Sequence, residues 1–108
     1  MNQGEFENKY STTVYAIEEA IEESDADLDF ETVNNILTII CEDDSQIIIT
    51  PQSANNELWL AAKSGGFHFR HDEATGKWVN TNTGEALADA LSRIFAEQGN
   101  VDLDKLDI

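Results

Sequence analysis

Two helical stripes enclose a run of short alternating segments, and that order limits the fold more than any other feature. Phe6, Tyr10, Val14, Ile17 and Ile21 recur at steps of four and three, which sets them on one face of a helix over about residues 4–23. Leu87, Leu91, Ile94 and Phe95 repeat the pattern near the other end, where Asn82-Thr83-Gly84-Glu85 reads as a capping box and Gly99 as a stop. Between them, Leu28, Phe30 and Thr32 alternate with Asp27, Asp29, Glu31 and Val33, as a strand with one wet side does. Further apolar runs follow at 36–41, 46–50, 57–62, 67–70 and 77–80. The segments between them read as turns: Asn34-Asn35, Glu42 to Ser45, Ser64-Gly65-Gly66 and Asp72 to Gly76. The stretch from Pro51 to Asn56 reads as a polar connection. Connections this short favour antiparallel pairing, and two apolar helix stripes need one sheet face to cover them. The expected architecture is α+β, a two-layer sandwich in the order α-β-β-β-β-β-β-α. It is expected to form a single domain over residues 1–108.

Charge narrows the function. Twenty-two acidic residues face six basic ones, for a net charge of −16, while 41% of residues are hydrophobic, enough to build a core. Phosphate-bearing partners would be repelled, so neither nucleic acid nor a membrane surface is expected as a partner. Cations and basic protein surfaces are favoured instead. No apolar run approaches the ~18 residues of a membrane span. Met1 to Glu7 carries neither a basic nor an apolar stretch, so no leader is expected, and a cytoplasmic location follows. A single cysteine, Cys41, excludes an internal disulfide and a cysteine-built metal cluster.

The acidic residues are concentrated. Glu18, Glu19, Glu22, Glu23, Asp25, Asp27, Asp29 and Glu31 fall within one short stretch, and no Lys or Arg occurs between Lys9 and Lys63. Glu18/Glu22 and Glu19/Glu23 are like-charge pairs one turn apart, each costing about 0.2–0.5 kcal/mol. All four glutamates sit near a helix C-terminus, where the macrodipole opposes each by roughly 0.3–1 kcal/mol. A helix selected only for stability would carry Lys or Arg there. The bland reading is a solvated, solubilising face. The strand that follows extends the stripe, and two elements agreeing favours a functional one. Carboxylates without His or Cys suit hard cations such as Fe²⁺, Fe³⁺, Mn²⁺ or Ca²⁺, and a convex ridge leaves water to complete the shell, so binding is expected to be weak. Asp25-x-Asp27-x-Asp29 imitates an EF-hand start, but Phe30 stands where Gly is required and Ile36 where the bidentate Glu belongs.

Catalysis finds little support. No serine lies in a nucleophile elbow, Gly65-Gly66 is too short for a phosphate loop, and carboxylates on a ridge lack the desolvated cleft that acid–base work needs. His68 and His71 read as surface histidines, His68 on the outer sheet face, and Cys41 as a strand filler. Trp78 reads as core. Trp59 lies between Leu58 and Leu60, so it points away from the helices and is expected to be exposed, a candidate anchor for a partner.

Leu58-Trp59-Leu60-Ala61, then Lys63-Ser64-Gly65-Gly66-Phe67-His68-Phe69, a lone Trp78 and a helix start at Gly84-Glu85 together resemble the frataxins, in particular their bacterial form. Glu18-Glu19-x-x-Glu22-Glu23-x-Asp25-x-Asp27 is similar to their acidic ridge. The resemblance spans about residues 5–96 and leaves 97–108 as a C-terminal extension. It implies an iron-binding accessory protein of iron–sulfur cluster assembly, with Fe²⁺ or Fe³⁺ weakly held on the eight ridge carboxylates. It also implies a cysteine desulfurase and the cluster scaffold as partners, the desulfurase docking on the ridge, and Glu18, Glu19, Glu22, Gln52, Trp59 and His68 are the expected partner-binding residues. It implies no catalyst; ferroxidase activity stays open, as does iron-dependent oligomerisation of an otherwise monomeric chain. Family members carry Asn, a basic residue and Gln where this chain has Thr50-Pro51-Gln52, so the contact implied there rests on Gln52 alone. The competing reading is an acidic interaction protein that mimics nucleic acid or blocks a basic surface without a metal role.

Overall fold

In a computed structural model of the chain, residues 1–99, 106 and 108 are described. Helix α1 (Gln3–Glu23) is followed by strands β1 (Asp29–Val33), β2 (Ile36–Ile40), β3 (Gln46–Gln52), β4 (Glu57–Ala62), β5 (Gly65–Asp72) and β6 (Lys77–Asn80), and then by helix α2 (Leu87–Glu97). The six strands form one antiparallel meander in sequence order. The expected α+β order and strand number therefore hold. The extension expected over 97–108 lies outside the described residues beyond Gly99, apart from Leu106 and Ile108.

Asn2 caps α1 by accepting from the Glu5 amide at 2.8 Å. Phe6, Tyr10, Val14, Ile17 and Ile21 are all buried, as their spacing requires. They meet Leu37 and Ile39 of β2, Ile47 and Ile49 of β3, Leu58 and Leu60 of β4, Phe69 of β5 and Trp78 of β6 in one core, completed by the apolar face of α2. Two polar contacts fix α1 on the sheet. The Trp78 indole donates to Thr13 Oγ1 at 2.9 Å, and the Tyr10 hydroxyl lies 2.5 Å from the Asn35 carbonyl and 3.2 Å from that of Ile49. Burial pushes the Tyr10 phenol up, so it remains a donor.

Three local expectations change. Pro51 and Gln52 continue β3, pairing with Leu58 and Glu57, and do not belong to a connection. The β2 ladder stops at Ile49, so Pro51 sits where β3 is locally an edge and its missing N–H is harmless. The β4–β5 turn is Lys63-Ser64, with Gly65 already paired to Ala62. The capping box does not form. Gly84 takes a left-handed conformation at φ +77°, Thr83 Oγ1 accepts from the Glu85 amide, and Ala86 pairs with Val79 before α2 begins at Leu87. The bridge to β6 outcompetes a side-chain cap because it extends the sheet ladder. Asn34 and Asn35, both at positive φ, form the tight turn their sequence announced.

Candidate functional site

The helix terminus brings the acidic residues together. Ser24 ends α1 with its hydroxyl on the Ile21 carbonyl, and the Ala26 amide donates back to it. Asp25, in the left-handed region at φ 56°, turns the chain into β1. The Thr32 hydroxyl then donates to Glu18 at 2.5 Å, which ties β1 to the last turns of α1. Glu19, Glu22, Glu23, Asp25, Asp27, Asp29 and Glu31 are exposed and Glu18 half-buried. Among the described residues none of the eight forms an ion pair, and the last turn of α1 holds no basic residue. The local field is legible at Tyr15, whose exposed phenol is pushed up by a hydrogen bond to Glu19 and by the charges of Glu19, Glu22 and Glu18.

These carboxylates line an edge of the molecule. Among the described residues no three His, Cys, Asp or Glu side chains converge as a preformed metal cage. Whatever cation is held here must therefore be met by a few flexible carboxylates and water. A cleft of about 640 Å³ at the start of α1, beside His71 and Glu73, and one of about 360 Å³ beside Arg93 are lined by other residues.

The residues expected to meet a partner through the sheet are also assembled. Across β3, β4 and β5 the register aligns Thr50, Trp59 and His68 in one row and Gln52, Glu57 and Arg70 in the next. Leu58, Leu60 and Phe69 are buried toward the helices, so both rows face outward. Trp59 is half-buried, not fully exposed: the His68 ring stacks on it at 4.2 Å with only 4° between the planes. The indole N–H donates to Glu57 at 2.9 Å, and His68 Nδ1 lies 3.7 Å from the same carboxylate. Sequence reasoning missed Glu57 and Arg70. The signal was available in the two-residue period, since Glu57 shares the face of Trp59 and Arg70 that of His68.

The two histidines part company. His68 is exposed, as expected. His71 is not a surface histidine. β5 runs on past Arg70, so alternation turns His71 inward with Phe69, where its ring meets the Trp78 ring at 5.4 Å and both nitrogens are buried without a hydrogen-bond partner among the described residues. Cys41 is buried, and desolvation pushes its thiol up, which suits a filler and not a nucleophile.

Comparison with known proteins is consistent with this geometry. The family described as the frataxin-like domain matches residues 1–101. An iron-sulfur cluster assembly protein CyaY of Pseudomonas aeruginosa is 40% identical over 104 residues, covering 96% of this chain and 96% of its own. The protein of the same name from Vibrio vulnificus is 47% identical over 88 residues, covering 82% of this chain and 83% of its own. Among solved structures, a frataxin of the CyaY family from Psychromonas ingrahamii superposes with a TM-score of 0.89 at 32% identity, covering 96% of this chain and 97% of that one.

Proposed function

The chain belongs to the frataxin-like family, and on that premise we propose that it is an iron-binding accessory protein of iron–sulfur cluster assembly. Iron is its cargo, not a resident cofactor. Fe²⁺ or Fe³⁺ is held weakly by Glu18, Glu19, Glu22, Glu23, Asp25, Asp27, Asp29 and Glu31, and released as easily, because hard oxygen ligands on an open edge leave water in the shell. The same charges draw a basic patch of a cysteine desulfurase toward Glu18, Glu19 and Glu22, while the scaffold protein meets the outer face at Trp59, Gln52 and His68. The chain acts by binding, in the cytoplasm, and performs no bond chemistry of its own.

One observation carries this reading: a ridge of eight carboxylates, drawn from the end of α1, the turn that follows it and β1, and lacking any ion pair among the described residues, stands at a helix C-terminus that physics would make basic. The test is a titration of the cysteine desulfurase at several salt concentrations, with and without excess Fe²⁺. Affinity should fall steeply as the Debye length shrinks from about 10 Å at 0.1 M to about 3 Å at 1 M. Metal and desulfurase should weaken each other by one common factor. Glu19→Lys with Glu22→Lys should weaken the complex more than the matching Gln changes. Binding that ignores salt and survives both lysines would move the desulfurase elsewhere, and amide signals at 18–31 that ignore iron would favour a purely electrostatic interaction protein.

A further inference from the structure

The meander leaves its two edges in different states. On the β6 side the chain closes its own edge: Ala86 bridges Val79, and the Asn80 amide donates to the Glu85 carbonyl at 2.8 Å. On the β1 side, no strand pairs with the outer edge among the described residues. Alternate residues of Asp29–Val33 therefore direct N–H and C=O groups outward over roughly 17 Å. Edges of this kind are usually blunted by a proline, a bulge, a covering loop or charge. β1 contains no proline, and its register with β2 runs unbroken from Asp29↔Ile40 to Val33↔Ile36. Among the described residues no strand covers it, and its carboxylates are its evident guard.

That guard is selective. Asp29, Glu31 and Val33 share one face, and Val33 stands beside Ile36 at the hairpin tip, 56% and 38% exposed. A second copy of this chain offering its own β1 would set carboxylate against carboxylate, which disfavours pairing. A basic strand would gain cross-strand ion pairs at the same positions, and the apolar tip would fix its register. We propose that β1 is a β-augmentation edge that accepts an extended basic segment of a partner, alternating Lys or Arg opposite Glu31 and Asp29 with an apolar residue opposite Val33. This inference rests on the ridge reading above and names the manner of docking: main-chain pairing supplies affinity, and the alternating carboxylates supply selection.

The probe is a synthetic peptide, Val-Thr-Lys-Thr-Lys-Thr-Lys, titrated into the full chain at low salt while amide exchange is followed. Its control has the central threonine replaced by proline, which keeps every charge but removes a main-chain donor and breaks the strand. Exchange should slow at outward-facing amides of Asp29–Val33, and the proline peptide should bind about tenfold more weakly. Asp29→Lys with Glu31→Lys should abolish binding of the first peptide. Equal affinity for the two peptides, protection confined to α1, or no binding by either would overturn strand pairing. Those outcomes are separable from failure of the ridge reading, which is decided by the salt and iron dependence of desulfurase binding and not by the β1 backbone.

Discussion

The α1–β1 edge and the outer face around Trp59 treat negative charge in opposite ways. On the outer face and its flanks, carboxylates have partners. Glu57 accepts from the Trp59 indole and lies beside His68, Glu85 binds Arg93 at 2.9 Å, and Asp43 binds Lys63 at 2.6 Å. On the ridge, eight carboxylates from α1, the turn after it and β1 share, among the described residues, no cation. One region gives these carboxylates hydrogen-bond or ion-pair partners and presents shape and an aromatic ring. The other stores repulsion that only an outside cation can relieve. The difference lies in local compensation: a surface that satisfies itself needs no partner, whereas on the proposed reading a bound cation would add stability at the ridge.

The strongest test of that contrast removes the repulsion. Replacing Glu18, Glu19, Glu22 and Glu23 by Gln should raise stability by on the order of 2 kcal/mol, roughly 10 °C in thermal midpoint at low salt. Iron binding should weaken in the same variant, and the gain should shrink at 1 M salt. A melting curve that does not move would mean that the ridge stores no strain.

Trp59→Ala probes the other region. Losing its stack on His68 should lower stability by about 1 kcal/mol, while scaffold affinity falls by more than ~2 kcal/mol if the ring is a central anchor. Equal losses in folding and binding would make Trp59 a packing residue and erase the distinction between the regions.

Arg93→Ala should cost about 0.5 kcal/mol, because its pair with Glu85 is partly exposed and its contact over the Phe67 ring is 5.8 Å from the centroid. Chemical denaturation resolves such a change, and a loss above that of Trp59→Ala would mean that the flank, not the aromatic stack, holds the outer face together.

The smallest effect is expected at Asp43. A hydrogen bond from Lys63, with others from the Ser45 hydroxyl and amide, holds its carboxyl well below the usual carboxylate range. A carboxyl depressed in the folded state stabilises above its unfolded pKa and loses that contribution as pH falls through the folded value. Asp43→Asn should therefore melt slightly below the parent at pH 7, and the gap should begin to narrow below about pH 4 and close only as pH falls through the depressed folded value. A gap that widens in acid would contradict the assigned cause.

Much of this protein was determined by periodicity. The apolar spacing of α1 and α2, the alternation in each strand and the Asn34-Asn35 turn are local signals, carried by a few neighbouring residues that share one face or one backbone conformation. They sufficed for the element order, the two layers and the inward face of every helix. The eight carboxylates were equally legible, because charge and exposure are one-dimensional facts. Only the tertiary structure decided the pairings between distant segments. That Thr32 reaches Glu18, that Gln52 and Arg70 flank Glu57, and that His68 covers Trp59 all depend on strand register, which no single strand encodes. His71 turned inward because β5 ran two residues beyond Arg70, and the capping box expected at Asn82-Thr83-Gly84-Glu85 yielded because Ala86 was claimed by Val79. Both outcomes follow from a ladder hydrogen bond gained with a neighbouring strand, a contribution absent from the sequence around either residue.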